Sequence, residues 1–196
     1  MSKFAYDAIR IPYRVGVFVD SLNIFCACRD KWNRVISHGT LLRVALAGHR
    51  LYRAIVYGIR FSAKMSQWIK AVEHYGYEVR EKDPIYHVDG SVKANWDIDI
   101  VIDIWRMLAH IDVVVLASGD GDFCALVQRC QELGKIVRVI GVEDSTSARL
   151  IGLADEFVPI TEDMLLERKA QQKQFGSSLG VALRRAGVTP ESSEKG

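Results

Sequence analysis

The chain has 196 residues, 49% of them hydrophobic and 26% charged, which fits one soluble globular domain with room for a tail and excludes wholesale disorder. The 26 basic and 24 acidic side chains leave a net charge of +2. Such a balance excludes strong bulk attraction to nucleic acid or acidic membranes, so a polyanion site must come from local clustering.

No apolar run reaches membrane-spanning length: Val113–Ala117 is strand-sized, and Ile98–Ile102 is broken by Asp99. Met1–Pro12 lacks the apolar core of a secretory signal. The four cysteines, Cys26, Cys28, Cys124 and Cys130, complete no zinc pattern and read as free thiols of a reducing compartment. A cytoplasmic protein with no membrane partner is expected.

Strands and helices alternate along the chain. Val15–Val19 is a continuous apolar strand, the kind buried on both faces of a parallel sheet. A helix is expected over Ser21–Arg29, and another over Thr40–Ala47, capped by Thr40 and closed by Gly48. Tyr52–Gly58 is the second strand. Ser62 then caps a helix with apolar residues at Met65, Ile69 and Val72, ending before Gly76. Tyr77–Arg80 is a third strand, and Lys82–Val92 an irregular connection. Asn95 caps a helix from Trp96 to Ala109. Val113–Ala117 is the most apolar strand of all. Asp122–Leu133 is a helix stopped by Gly134, Ile136–Ile140 a strand, Ser145–Ala154 a short helix and Phe157–Ile160 an edge strand that tolerates Pro159. Met164–Gln174 reads as a charged helix, and Phe175–Gly196, rich in Gly, Ser, Arg and Glu, as a flexible tail. The fold class is therefore α/β: a single three-layer domain with a central, mainly parallel sheet and a C-terminal tail.

In such sheets ligands sit outside the carboxyl ends of the strands, where the winding reverses. The first strand ends in Asp20, with Asn23 three residues on. The most apolar strand runs into Ser118-Gly119-Asp120-Gly121-Asp122. Asp97 opens the helix after the irregular connection, four residues beyond Lys93. A lone aspartate at a strand end is most simply a cap or turn residue. Acids on three separate strand–helix junctions favour a shared hard cation, Mg²⁺ or Mn²⁺, because converging carboxylates repel without one. Glycines at 119 and 121 let the backbone turn tightly and leave room for a phosphate. Asp99 reads as part of a solvated helix face, whereas Asp103 interrupts an apolar pattern. Trp32, Trp68 and Trp105 read as core or partly buried aromatics. No Walker loop or G-x-G-x-x-G is present, and no nucleophile–base pair is recognisable.

The ordered set Val17-Phe18-Val19-Asp20-Ser21-Leu22-Asn23, then Lys93-Ala94-Asn95-Trp96-Asp97 with Asp103 six further on, then Leu116-Ala117-Ser118-Gly119-Asp120-Gly121-Asp122-Phe123, resembles the NYN domain. It is similar in particular to the LabA-like bacterial branch, within the PIN-like nuclease superfamily. Gly134-Lys135 and Leu153–Val158 fit the usual ending. The resemblance implies a PIN-like nuclease domain over residues 14–161, followed by a helix and flexible tail over 162–196. It implies a metal-dependent ribonuclease that hydrolyses RNA phosphodiesters, expected to cut endonucleolytically, with Mg²⁺ or Mn²⁺ held by Asp20, Asp97, Asp120 and Asp122. Asn23 and Ser118 match the polar residues beside those acids, Lys93 would contact a phosphate, and Asp103 matches a helix acid of less defined role. Ala94 and Gly121 stand where glycine and serine are frequent in the family, and neither change removes a ligand. Arg60, Lys64, Arg80 and Lys82 lie just past strand ends and are candidates for a basic rim. A homo-oligomer, and a protein partner held by the tail, stay open. Two alternatives stand beside the nuclease: a non-catalytic regulatory or RNA-binding NYN protein, and a small-molecule phosphatase, the latter weakened by the lack of a D-x-D at Asp20-Ser21-Leu22.

Overall fold

The structure, a computed structural model, describes residues 12–59, 65–82, 85–86, 92–93 and 96–167. Its elements run β1 (Arg14–Asp20), α1 (Ser21–Trp32), α2 (His38–Leu46), β2 (Arg50–Ile59), α3 (Met65–His74), β3 (Glu78–Lys82), β4 (Ile85–Tyr86), β5 (Val92–Lys93), α4 (Asp97–Met107), β6 (Val113–Ala117), α5 (Cys124–Glu132), β7 (Ile136–Gly141), α6 (Ala148–Leu153) and β8 (Glu156–Pro159). Six strands form one sheet in the order β3-β2-β1-β6-β7-β8, and every pairing in it is parallel. The α/β class read from the sequence is the class found.

Strand alternation divides the core into two layers. Val15, Val17 and Val19 of β1, Ala54 and Val56 of β2, and Val113, Val115 and Ala117 of β6 pack with Ile24, Cys28, Leu41 and Trp68 from α1, α2 and α3. Phe18, Ile55, Tyr57, Val114 and Leu116 point the other way, onto Ile100 and Ile104 of α4, Val127 of α5 and Leu150 of α6. Because strand side chains alternate, each central strand must be apolar at nearly every position, as β1 and β6 are.

Local chemistry sets the helix ends. Asp20 caps α1, its Oδ1 accepting from the Asn23 amide at 3.2 Å. The expected cap at Thr40 is one turn late: Ser37 caps α2 and accepts from the Thr40 amide at 3.3 Å. Ala47, one residue before the expected glycine stop, itself turns left-handed with φ 45°. Two further differences concern connections. Inside Lys82–Val92 the chain forms a short antiparallel ribbon, β4 with β5, which two-residue strands make illegible to periodicity. At the other end, Leu165 bridges Ile36 and the Leu166 amide bonds the Val35 carbonyl at 2.8 Å, where a helix from Met164 was expected. The apolar side chains of Met164 and Leu165 are buried, and that burial outweighs the helical reading. Ser62, Asn95 and the tail from residue 168 lie outside the described residues.

Candidate metal centre

The sheet order reverses between β1 and β6, since β1 leads outward to β2 and β3 while β6 leads to β7 and β8. Such a switch opens a crevice at the carboxyl ends of the two strands. Asp20 is the last residue of β1, and Ser118 follows β6 directly.

Hydrogen bonds lock the two strand ends together. Asn23 Oδ1 accepts from the Gly119 amide at 2.8 Å. Ser118 Oγ accepts from the Asp120 amide at 3.2 Å and donates to Asp20 Oδ2 at 3.4 Å. Asp120 Oδ1 accepts from the Asp122 amide at 2.9 Å and so caps the 3₁₀ turn Gly121–Phe123. The long helix expected from Asp122 is thus a 3₁₀ turn leading into α5. Asn23 and Ser118 lie beside the acids, with their oxygens engaged by loop amides.

Asp97, Asp120 and Asp122 converge. Each brings a carboxylate oxygen within 4.8 Å of the others. Two oxygens bound to one Mg²⁺ are at most about 4.2 Å apart, twice the usual ligand distance. Oxygens up to 4.8 Å apart would draw in slightly to share a single Mg²⁺ or Mn²⁺, and three carboxylates offer no sulfur or imidazole to favour zinc. Asp20 is buried beside this cluster. Burial pushes its carboxyl up to about 6, the charges of Asp97 and Asp120 push the same way, and the bonds from the Asn23 amide and Ser118 hydroxyl oppose them. A cation in the cluster would reverse that balance by favouring the ionised form.

Asp103 is turned elsewhere. It is buried beneath α4, accepts from the Tyr57 hydroxyl at 2.9 Å and lies 3.4 Å from Arg80 Nε. Arg80 also pairs with Glu78 at 3.1 Å. Lys82 pairs with Asp99, its ammonium 4.2 Å from the centre of the Trp96 ring. These two of the basic residues expected at a phosphate rim therefore face acids. The Lys93 backbone lies in β5 opposite Ile85, and Arg60 and Lys64 are outside the described residues.

One supporting segment escaped the sequence reading. After β7 the chain folds over the acidic loop: the Ser147 amide donates to the Gly119 carbonyl at 2.9 Å, and Thr146 Oγ1 donates to the Val142 carbonyl at 2.8 Å. A Cβ at Gly119 would meet the Ser145 carbonyl oxygen at 3.0 Å and Thr146 Cα at 3.1 Å. The only sequence signal was the position of Ser145-Thr146-Ser147 beyond another strand's carboxyl end.

A family model for the NYN domain matches residues 14–163. The chain belongs to the NYN domain family. It is LabA-like: the "Low amplitude and bright protein LabA" of Synechococcus elongatus is 24% identical over 184 residues, covering 87% of this chain and 97% of that protein. An uncharacterised protein of Methanocaldococcus jannaschii is 30% identical over 80 residues, 40% of this chain and 33% of the other. The crystal structure of a Vibrio parahaemolyticus protein of unknown function superimposes with a TM-score of 0.74 at 34% identity, covering 81% of this NYN chain and 99% of that one. Among the described residues, no helix of the NYN chain is long and apolar enough to cross a membrane.

Proposed function

We propose that this NYN protein is a metal-dependent ribonuclease that hydrolyses RNA phosphodiester bonds by internal cuts. The observation that carries the reading is the convergence of Asp97, Asp120 and Asp122 at a switch-point crevice of a NYN chain. Asp97, Asp120 and Asp122 would hold Mg²⁺ or Mn²⁺, with buried Asp20 as the adjacent acid. Bound there, the ion supplies a Lewis acid for a phosphate oxygen and lowers the pKa of a coordinated water. Asn23 and Ser118 keep the two strand ends in register, so the acids are positioned before substrate arrives. Lys93 meets a substrate phosphate. Water attack with a 3′-oxygen leaving group gives 5′-phosphate and 3′-hydroxyl products. All four cysteines are buried free thiols, which supports a cytoplasmic setting.

The test is incubation of internally labelled RNA with the purified protein and Mn²⁺ or Mg²⁺, beside an Asp120→Asn control and a chelated sample. Internal fragments with 5′-phosphates are expected from the parent alone. Equal cleavage by the Asp120→Asn protein would refute the reading.

One observation favours a second reading, a regulatory NYN protein that does not cut. Two of the basic residues expected at the rim, Arg80 and Lys82, each face an acid. On that reading RNA stays intact with either metal, while parent and Asp120→Asn proteins bind their partners alike.

A further inference from the structure

The loop after β7 carries three hydroxyls in a row, and two of them are engaged within it. Ser145 Oγ donates to the Val142 carbonyl at 3.3 Å, and Thr146 Oγ1 donates to the same carbonyl at 2.8 Å. Ser147 has its backbone held on both sides: its amide donates to the Gly119 carbonyl at 2.9 Å, and its carbonyl accepts from the Ile151 amide at 3.0 Å. It stands at the N-cap of α6, where a serine ordinarily accepts from the helix amides, yet its side chain makes no capping bond. Among the described residues its hydroxyl bonds no protein group. That hydroxyl lies against the acidic turn. A Cβ on Gly121 would meet Ser147 Oγ at 3.0 Å and Ser147 Cβ at 3.2 Å. Gly121 is not among the glycines with positive φ, so its backbone does not demand glycine. What the glycine supplies is a gap that leaves the Ser147 hydroxyl uncovered. On either side of the gap stand Asp120 and Asp122, two of the three converging acids.

We propose that the gap over Gly121 seats a phosphate group of the nucleic-acid strand, and that Ser147 Oγ donates a hydrogen bond to one of its non-bridging oxygens. This inference rests on the metal-dependent reading of the acidic cluster. Carboxylates repel a phosphate until a cation lies between them, and a donor on the outer phosphate oxygens then adds to the hold. A hydroxyl suits that place. It brings one proton to give and turns about a single bond, so it can follow the phosphate while the loop stays fixed. The roles divide accordingly: the acids hold the cation, Ser145 and Thr146 hold the loop, and Ser147 touches substrate.

The test is calorimetric titration of the full-length chain in Mn²⁺ with uridine 5′-monophosphate, which carries a phosphate and no phosphodiester to cut. Uridine is the phosphate-free control. The parent is expected to bind the monophosphate far more tightly than uridine. Ser147→Ala should lower affinity for the monophosphate about tenfold, the usual size for a hydrogen bond to a charged group, and leave uridine unaffected. Ser147→Thr keeps the hydroxyl and should bind as the parent does. Gly121→Ala fills the gap and should weaken binding with Ser147 still in place. The rise in unfolding temperature given by Mn²⁺ should be the same in Ser147→Ala and parent, which separates a phosphate contact from damage to the metal centre. A Ser147→Ala protein that binds the monophosphate as tightly as the parent overturns the proposal. So does a parent that prefers the monophosphate no more than uridine, or a Ser147→Ala protein that loses the Mn²⁺ increment. A parent that binds the monophosphate through Ser147 yet leaves RNA intact supports this inference and refutes the nuclease reading, so the two fail separately.

Discussion

The Tyr57 hydroxyl donates to Asp103 Oδ2 at 2.9 Å inside the apolar layer between β2 and α4. The bond joins the sheet to the helix that carries Asp97. Tyr57 also pairs in register with Asp20 on β1. One tyrosine therefore relates two of the candidate acids to a common frame. Burial, with the Asp103 charge adding, holds its phenol well above the ordinary range, so it remains a donor at any working pH.

Tyr57→Phe is expected to cost about 1–2 kcal/mol, the usual loss when one buried donor is withdrawn. Arg80→Met should cost more, because Asp103 then keeps a single hydroxyl for its buried charge. Adding Asp103→Leu to Tyr57→Phe should recover most of the loss, as an apolar pair replaces a half-satisfied polar one. Urea unfolding at neutral pH measures all of these. Equal stability of Tyr57→Phe and parent would leave the bond without structural weight.

The pH dependence follows from two buried groups with opposite signs. His38 is buried against Trp68 and Tyr77, and burial lowers it to about 4 from 6.5. The unfolded chain takes up its proton first as pH falls, so this stability is present above pH 6.5 and lost on acidification toward 4. Asp20, raised to about 6 from 3.8 chiefly by burial, behaves oppositely. Its contribution is fully present below 3.8 and lost as pH rises through 6. Each is worth about 3 kcal/mol. In metal-free protein the two nearly cancel between pH 4 and 6.5. Asp20→Asn should therefore make the protein acid-sensitive across that window, and His38→Phe should make it gain stability on acidification. Parallel stability curves for all three proteins would refute the assignment.

Much of the frame was legible because its signals are local. Val15–Val19 and Val113–Ala117 could only be doubly buried strands, and the aspartates after them fall where the sheet winding reverses. What escaped depends on distant partners. The destination of Asp103 is set by Tyr57, 46 residues away, and by Arg80. Arg80 and Lys82 looked like phosphate ligands because Asp103 and Asp99, which they face, lie on α4, across the fold rather than along the chain. The cap of α2 was misplaced because Ser37 and Thr40 are both capping residues three apart, and helix patterns do not choose between them. Trp105, half exposed on α4, was read as core or partly buried, since a helix pattern gives two apolar stripes and does not say which the domain uses.

The acidic loop should tolerate bulk unequally. At Gly119 a new Cβ meets backbone atoms of Ser145 and Thr146, which cannot swing away. At Gly121 it meets only the Ser147 side chain, at 3.0 Å from Oγ. Gly119→Ala is expected to cost about 1–3 kcal/mol and Gly121→Ala less than about 1 kcal/mol. Gly119→Ala should also weaken Mn²⁺ binding, because the Gly119 amide anchors the loop to Asn23. Thermal unfolding with and without Mn²⁺ reads both effects. Equal costs at the two glycines would show that the loop after β7 does not brace the site.

Metal-linked stability separates the acids by role. Asp97, Asp120 and Asp122 crowd their charges within 4.8 Å, so the chelated protein carries repulsion that a cation removes. An ion that binds only the folded chain stabilises it by about 2.7 kcal/mol at a hundred times its dissociation constant. Mn²⁺ or Mg²⁺ should therefore raise the unfolding temperature of the parent. Asp120→Asn keeps the Oδ1 acceptor that caps the Asp122 amide, so the loop holds. That variant should be as stable as the parent, or more so, in chelator, yet gain little from Mn²⁺. Asp97→Asn should behave alike, and Asp122→Asn similarly but less strongly, as the exposed member of the three. Asp103→Asn should lose stability in chelator while keeping the full Mn²⁺ increment, because its carboxylate serves Tyr57 and Arg80 rather than the cluster. A parent that gains nothing from either metal, or an Asp120→Asn protein that gains as much as the parent, would remove the cluster from consideration as a metal centre.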